Sequence, residues 1–221
     1  YLGILLANLA ALQKVFGGTP DLPLLQVVMP LGISYYTLRN LAYLIEVYQG
    51  EPPFKKLTDC LFYQNFWPQL LSGPLIRPTE VKDQIAFLPP LRYEDVGIGL
   101  QRILVGFFKK VLVADSLAPL VDRVFAGGAV PGAMDVLAGT AGFGLQLYFD
   151  FSAYSDIAIG SARLFGIVFP ENFNLPYAAC SPQDFWNRWH LTLSRWMRDY
   201  VYFPLGFILR DRGGELSPAS S

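Results

Sequence analysis

Residues 146–205 read QLYFDFSAYSDIAIGSARLFGIVFPENFNLPYAACSPQDFWNRWHLTLSRWMRDYVYFPL, and this stretch decides how the chain folds. It is strongly apolar and aromatic, yet it also holds the only histidine of the chain, His190. Its charged residues include Asp150, Asp156, Arg163, Arg188, Arg195, Arg198 and Asp199. Ionisable groups are costly in sequence this apolar and mark a functional site by default. A single imidazole among tryptophans is therefore the first candidate for proton transfer.

The composition is that of a membrane protein. Of the 221 residues, 52% are hydrophobic and 16% are charged, whereas soluble domains are about a quarter charged. Several apolar stretches approach the roughly 20 residues that a helix needs to cross a bilayer. We predict an all-α, polytopic bundle of transmembrane, broken or re-entrant, and interfacial helices. The alternative is a large soluble helical core.

Charge and cysteine content exclude other classes of protein. Lys+Arg number 17 and Asp+Glu 18, so the net charge of −1 gives no basic excess for binding nucleic acid. Cys60 and Cys180 have neither the spacing of metal ligands nor that of a disulfide framework. We expect both cysteines in the core and predict no metal site.

The beginning and end of the sequence predict a piece of a longer protein. Residues 1–16 look like the end of a membrane helix, and residues 24–48 form a second predicted span that Pro30 should kink. The polar residues 210–221 read RDRGGELSPASS and are expected to be mobile.

Residues 61–76 are apolar, but Pro68 and the Gly-Pro pair at 73–74 interrupt them. Broken backbone is tolerated inside a membrane only where protein or water covers it. We therefore predict a broken or re-entrant helix here.

Two further apolar segments follow. Residues 96–113 are predicted to be helical, with Lys109 and Lys110 reaching towards an interface. After a turn at 127–132, residues 136–169 are predicted to form one or two helices.

A last helix is predicted to begin at Pro182, with Ser181 as its cap and Asp184 completing a capping box. If the helix continues, one side carries two acid–base pairs at i,i+4 spacing, Asp184 with Arg188 and Arg195 with Asp199. The opposite side is apolar and holds Trp186, Trp189, His190, Leu193 and Met197, with Ser194 one turn beyond the histidine.

His190 has two interpretations. A histidine in a packed bundle can be structural and donate a single hydrogen bond. In apolar surroundings, however, desolvation lowers the pKa of an imidazole, so the neutral form that a general base needs dominates. We therefore name His190 as the candidate catalytic residue. The charged side of the same helix can face solvent at an interface or face a substrate.

The preceding helix places Ser152, Asp156 and Arg163 on one face, with Asp150 pointing elsewhere beside Tyr154. A structural ion pair between Asp156 and Arg163 is the favoured interpretation, and a substrate-lining role is the alternative. The candidates for a substrate tunnel are Asp156, Arg163, Trp186, Trp189 and Ser194.

Four ordered segments resemble the membrane-bound O-acyltransferase family. They are MPLGISYYTLRNLAYLIEVYQG at 29–50, FWPQLLSGPLIRP at 66–78, LYFDFSAYSDIAIGSARLFGIVFPENFNLPY at 147–177 and FWNRWHLTLSRWMRDYVYFPLG at 185–206. The resemblance covers nearly the whole chain. It is strongest to the alginate O-acetyltransferase branch, whose sister branch transfers D-alanine to teichoic acids.

The resemblance implies a helical, multi-pass protein of the cell inner membrane with a tunnel through it. An acyl group passes from a cytoplasmic thioester to a hydroxyl on the other side, here most simply acetyl to an exopolysaccharide such as alginate. The implied acyl donor is acetyl-CoA or another acyl thioester, with no bound cofactor. The implied partners are the lipid bilayer, a polysaccharide acceptor and an extracytoplasmic acetyltransferase.

Individual residues match the family's motifs. His190 and Trp189 match its Trp-His motif, residues 150–156 match a DFSGYSD-like segment with Ala153 in place of glycine, and residues 171–174 match an ENFN segment. The family carries a second histidine in a later helix, usually regarded as the main catalytic one. This chain has one histidine. We therefore expect residues 1–221 to be one partial acyltransferase domain that lacks the first spans and the second histidine, and that is inactive alone.

Two other functions are compatible with the residues. A broken segment with intramembrane charges and one histidine also suits a transporter or flippase, although that class predicts inverted repeats and none is visible in the sequence. A non-catalytic membrane scaffold is the third alternative.

Overall fold

The computed structural model describes residues 32–88, 90–125 and 132–212, and within them the chain is all-helical without a β-strand. The helices are α1 (Ile33–Tyr48), α2 (Leu57–Asn65), α3 (Pro78–Ala86), α4 (Tyr93–Phe107), α5 (Asp115–Phe125), α6 (Ala133–Arg163), α7 (Pro182–Trp186), α8 (Leu191–Met197) and α9 (Phe203–Arg212). Short 3₁₀ turns lie at Trp67–Gln69 and Pro176–Ala178, and π-helical turns at Phe108–Ala114 and Arg198–Tyr202. The predicted all-α class is confirmed.

Some sequence predictions concern residues outside the described ranges. The helix end at 1–16, the kink at Pro30 and most of the turn at 127–132 are among them, as is nearly all of the polar stretch 210–221. Of the predicted span at 24–48, α1 provides the part from Ile33 to Tyr48. The packing described below lies within Ser34–Ser221, the larger of the two units into which the chain divides.

Helix α6, 31 residues long, packs along α4 at a backbone contact made by glycines. A Cβ added to Gly160 would lie 2.6 Å from the carbonyl oxygen of Gly99, and one added to Gly106 would lie 2.8 Å from that of Ala153. Only glycine permits such an approach. Residues 136–169 thus contain one helix, ending at Arg163. Among the helices of the described ranges, none is both long and apolar enough to cross a membrane.

Helix α4 passes into α5 through the π-helical turn Phe108–Ala114 without a break. In this turn the Lys109 ammonium lies 2.5 Å from Asp156 Oδ2, and the Lys110 ammonium lies 2.6 Å from Asp150 Oδ1. The prediction that these lysines reach towards an interface is wrong for Lys109, because the buried Asp156 binds its ammonium group, whereas Lys110 stays 44% exposed beside Asp150.

The backbone of residues 61–76 is broken, as predicted. Helix α2 ends at Asn65, and a 3₁₀ turn and irregular backbone follow. The fully buried Arg39 of α1 donates to the carbonyls of Tyr63 at 3.3 Å and Gln64 at 3.1 Å. These carbonyls belong to the last turn of α2, where a cation complements the negative end of the helix dipole. Arg39 therefore fixes the point at which the irregular segment begins.

The main core cluster joins α2 and α3 to the residues that follow α6. It consists of Tyr63, Phe66, Ile76, Val81, Ile85, Ala162, Ile167 and Phe169. Neither cysteine belongs to it, since Cys60 is partly buried and Cys180 is exposed. The prediction of two core cysteines is wrong for Cys180, which lies in the loop before α7, away from this cluster.

Candidate active site

His190 lies in a turn between two short helices. Helix α7 ends at Trp186, and α8 begins at Leu191, so the predicted continuous helix from Pro182 is wrong. The φ angle of His190 is 45°, in the left-handed region. A non-glycine residue held there costs about 1–3 kcal/mol, and such strain is concentrated at functional sites. The face predicted from a regular helix therefore does not exist at His190.

The start of α7 is built largely as predicted. Ser181 Oγ accepts a hydrogen bond from the amide of Asp184 at 3.1 Å, whereas the Asp184 carboxylate accepts from the amide of Cys180 at 3.2 Å. The Arg188 guanidinium lies 2.7 Å from Asp184 and holds the pKa of that carboxyl below its usual range. The second predicted pair is replaced, because Asp199 binds Arg77 at 2.6 Å and Arg198 at 2.7 Å.

The imidazole of His190 is buried, with 6% of the residue exposed, and both ring nitrogens have partners. Nδ1 lies 3.0 Å from Oδ1 of Asn172, and Nε2 lies 3.2 Å from the hydroxyl of Tyr35 in α1. Burial lowers the pKa of His190 to about 4. The ring is therefore neutral at physiological pH, as the sequence predicts.

Asn172 connects the histidine turn to α8 and to α6. Its backbone carbonyl accepts from the amide of Leu191 at 2.9 Å, and its Nδ2 donates to Ser155 Oγ at 3.0 Å. Its Oδ1 also accepts from the amide and the hydroxyl of Thr192, at 3.3 and 2.9 Å. The Thr192 hydroxyl in turn accepts from the amide of Leu75 at 2.9 Å. The whole chain of bonds is buried.

Aromatic rings enclose the other faces of the imidazole. The ring of Phe151 meets it edge to face at 4.8 Å between centroids, and Phe173 lies nearly parallel to it at 6.4 Å. Trp189 packs against both of these phenylalanines, at 6.2 and 5.1 Å. Trp189 thus supports the wall around His190, whereas Trp186 is 56% exposed.

A cavity of about 560 Å³ lies on the Phe151 side of the histidine. It is lined by Ser72, Lys110, Leu147, Asp150, Phe151, Tyr154 and Ile157. Its lining is mostly apolar, with the Lys110–Asp150 ion pair as the charged feature. Phe151, which meets the imidazole edge to face, is one of the lining residues. The cavity therefore borders the site through Phe151.

Asp156 and Arg163 do not pair with each other, so the predicted ion pair is wrong. Asp156 binds Arg102 at 2.6 Å and Lys109 at 2.5 Å, and Arg163 binds Asp95 at 2.8 Å. The sequence periodicity placed the two residues on one face of α6, but both face basic or acidic partners on α4 and its π-helical extension.

The charged cluster of Asp156, Arg102 and Lys109 lies close to Asn172. A cavity of about 40 Å³ touches Asp156, Ser155 and Asn172, and it has room for a few waters at most. Ser194 lies elsewhere, with its hydroxyl donating to the carbonyl of Trp189 at 3.3 Å. In the described part of the chain, no group of three His, Cys, Asp or Glu residues could hold a metal ion.

Sequence reasoning found His190 but missed its two hydrogen-bond partners. Asn172 matched the family's ENFN segment without being named as a site residue, and nothing singled out Tyr35. Tyr35 is 155 positions from His190 in the sequence. One available signal was that an asparagine in an apolar segment needs buried hydrogen-bond partners.

The fold and site define an all-helical protein in which a buried, neutral histidine lies between an asparagine and a tyrosine hydroxyl, and a neutral imidazole is the form that can accept a proton. The model of the membrane-bound O-acyltransferase family matches residues 55–214. The chain belongs to the membrane-bound O-acyltransferase family.

Named relatives include three classes of acyl-transfer protein. The probable alginate O-acetylase AlgI of Azotobacter vinelandii is 40% identical over 200 residues, which cover 90% of this chain and 40% of the relative. The peptidoglycan O-acetyltransferase of Helicobacter pylori is 35% identical, with 82% and 40% covered. The teichoic acid D-alanyltransferase of Bacillus subtilis is 31% identical, with 85% and 48% covered. The chain thus spans less than half the length of these relatives.

Proposed function

We propose that this chain is part of a multi-pass O-acyltransferase of the cell inner membrane. It transfers acetyl from a cytoplasmic thioester, acetyl-CoA in the simplest case, to hydroxyls of an extracytoplasmic polysaccharide. Family membership and the names of the alginate and peptidoglycan relatives support this assignment. The observation that carries it is the neutral, buried His190, whose Nε2 lies 3.2 Å from the hydroxyl of Tyr35 and is available to accept a proton.

The proposed reaction is direct transfer without a covalent enzyme intermediate. The oxygen of the acceptor hydroxyl attacks the thioester carbonyl carbon while its proton passes to a neutral imidazole. The carbon–sulfur bond then breaks, and the leaving sulfur receives the proton, so that an ester and a free thiol result. Positioned proton transfer of this kind contributes about 10²–10⁴-fold to a rate.

His190 is proposed to work with a second histidine in the intact protein. The resemblance implies that this second residue is the main base, while His190 holds the acceptor hydroxyl at Nε2 and shares in moving its proton. Residues 1–221 are then part of a single membrane domain. The alginate relatives support a polysaccharide acceptor, and an extracytoplasmic acetyltransferase is the proposed partner.

The tunnel candidates contribute unequally to this proposal. Trp189 packs on the two phenylalanines beside His190. Asp156 lines the same small cavity as Asn172. We retain these two as residues near the substrate path. Arg163, Trp186 and Ser194 remain weaker candidates. Arg163 binds Asp95, Ser194 donates to the carbonyl of Trp189, and Trp186 is exposed.

The test is acetyl transfer by the full-length membrane protein with labelled acetyl-CoA and a matching oligosaccharide. His190→Gln should lower kcat by about 10²-fold, the lower end of what positioned proton transfer contributes, because it removes the nitrogen that holds the acceptor hydroxyl and shares in moving its proton. Asn187→Gln, in the same turn but exposed, is the matched control. Transfer by the His190→Gln protein at the control rate would remove His190 from the mechanism. Absence of transfer by the unaltered protein would favour a transporter or scaffold.

A further inference from the structure

The side-chain amide of Asn172 has only one orientation that satisfies its neighbours. The backbone amide of Thr192 lies 3.3 Å from the atom assigned as Oδ1, and a backbone N–H can only donate. Placing Nδ2 there would set two donors against each other in a buried site. The Ser155 hydroxyl at 3.0 Å from Nδ2 accepts the amide proton on the other side.

The Thr192 hydroxyl supports the same orientation. It accepts from the backbone amide of Leu75 at 2.9 Å, so its own proton is free to be donated to Oδ1 of Asn172 at 2.9 Å. Two backbone amides, those of Leu75 and Thr192, therefore determine the direction of every hydrogen bond in this series of side-chain contacts. An unpaired buried donor at either place would cost about 1–3 kcal/mol.

This orientation decides which ring nitrogen of His190 carries the proton. A neutral imidazole has one donor nitrogen and one acceptor nitrogen. Oδ1 of Asn172 can only accept, so Nδ1, 3.0 Å away, must be the donor. Nε2 is then unprotonated and accepts from the hydroxyl of Tyr35.

We propose that Asn172 is a positioning residue that holds His190 in the Nδ1–H tautomer, so that Nε2 alone can take a proton from an acceptor hydroxyl. The Tyr35 hydroxyl occupies Nε2 in the structure, so the acceptor hydroxyl takes that place and has the Tyr35 hydroxyl as its neighbour. An amide at Nδ1 fixes the tautomer without adding a negative charge, which would favour the imidazolium. The assignment of the acceptor hydroxyl rests on the proposed function, whereas the tautomer does not.

The tautomer can be measured directly in the full-length protein, where the imidazole signals of His190 are those that disappear in the His190→Gln variant. The full-length protein is labelled with ¹⁵N-histidine, reconstituted in lipid bilayers and examined by solid-state NMR at pH 7. We expect a protonated Nδ1 and an unprotonated Nε2. An Nε2–H tautomer, or a mixture of both, in the unaltered chain overturns the proposal.

Three variants link the tautomer to Asn172. Asn172→Ala should populate both tautomers, whereas Asn172→Asp should keep Nδ1 protonated, because a carboxylate also accepts. The control is Asn174→Asp, which makes the same change two residues away on an exposed side chain. If Asn172→Ala retains the pure Nδ1–H tautomer, Asn172 is not the positioning residue. If Asn172→Ala fails to fold, the spectra of the unaltered chain and of Asn172→Asp still decide.

Kinetics in the full-length protein provide the second measurement. Asn172→Ala should lower kcat with little change in KM for the thioester, because only part of the His190 population then has an unprotonated Nε2. An unchanged kcat would overturn the role of Asn172. Lack of acyl transfer in the unaltered protein, with the Nδ1–H tautomer present, would reject the proposed function and leave the positioning role in place.

Discussion

At the scale of single residues, the imidazole of His190 is kept neutral by burial and not by an opposing charge. The pKa is about 4 in the folded chain and about 6.5 in an unfolded one. Between these values the unfolded chain binds the proton and the folded chain does not. This site therefore contributes full stability above pH 6.5, and the contribution is lost as the pH falls towards 4.

The expected difference is measurable with one substitution. Lowering the pH from 7 to 4 should reduce the unfolding free energy of the unaltered chain by roughly 3 kcal/mol more than it reduces that of His190→Gln. The figure follows from about 1.36 kcal/mol for each unit by which the pKa differs between the folded and unfolded chain. Unfolding in mixed micelles by SDS, followed by circular dichroism, gives both values. Equal acid sensitivity of the two proteins would show that His190 titrates normally in the folded chain.

A pair of adjacent tyrosines tests the contact at Nε2. The hydroxyl of Tyr35 donates to Nε2 of His190, whereas the neighbouring Tyr36 is 37% exposed. Tyr35→Phe removes the hydroxyl that orders Nε2, and we expect kcat of the full-length protein to fall by about 10-fold, roughly the 1–1.5 kcal/mol of one hydrogen bond. Tyr36→Phe should leave kcat unchanged. Equal rates for the two variants would mean that the Tyr35 hydroxyl takes no part in transfer.

At the scale of the elements, the contact of α4 with α6 depends on having no side chain at Gly160. A Cβ there would also lie 2.9 Å from Cγ1 of Ile103, besides its clash with the Gly99 carbonyl. Gly160→Ala should therefore destabilise the chain by about 1–3 kcal/mol through overpacking. Gly97→Ala, on the outer side of α4 with nothing within 4 Å, is the control and should be neutral or up to about 1 kcal/mol stabilising. The SDS midpoint of Gly160→Ala should fall, whereas that of Gly97→Ala should stay the same or rise. A Gly160→Ala midpoint at or above that of the unaltered chain would rule out a tight contact here.

The same elements show what sequence patterns can and cannot predict. The broken segment at 61–76 was predictable because proline and glycine act locally on the backbone. The turn at His190 was not, because no glycine or proline marks it and buried bonds to Asn172 and Tyr35 hold it in place. The partners of Asp156 could not be predicted from the sequence for a related reason. Helical spacing tells which residues share a face of α6, but only the packing of α4 shows which charges that face meets.

At the scale of the whole molecule, large apolar side chains lie exposed along the described surface of α4 and the π-helical turn that follows it. Leu104 is 69% exposed and Leu112 is 61% exposed. Exposed apolar area of this kind marks a contact with lipid or with another protein surface. The proposed membrane location assigns it to lipid.

Spin labels on this surface test the proposed membrane location. With Cys60 and Cys180 replaced by serine, a nitroxide is attached in turn to cysteines at Leu104, Leu112 and Tyr93, the last of which is 98% exposed at the start of α4. In bilayers we expect the labels at Leu104 and Leu112 to collide with oxygen but not with a water-soluble nickel chelate, because the chelate is excluded from hydrocarbon. The label at Tyr93 should collide with the chelate, because its polar neighbours Arg92 and Glu94 favour water. Collision of the chelate with the labels at Leu104 and Leu112 would place this surface in water, and the multi-pass arrangement would then have to exclude α4.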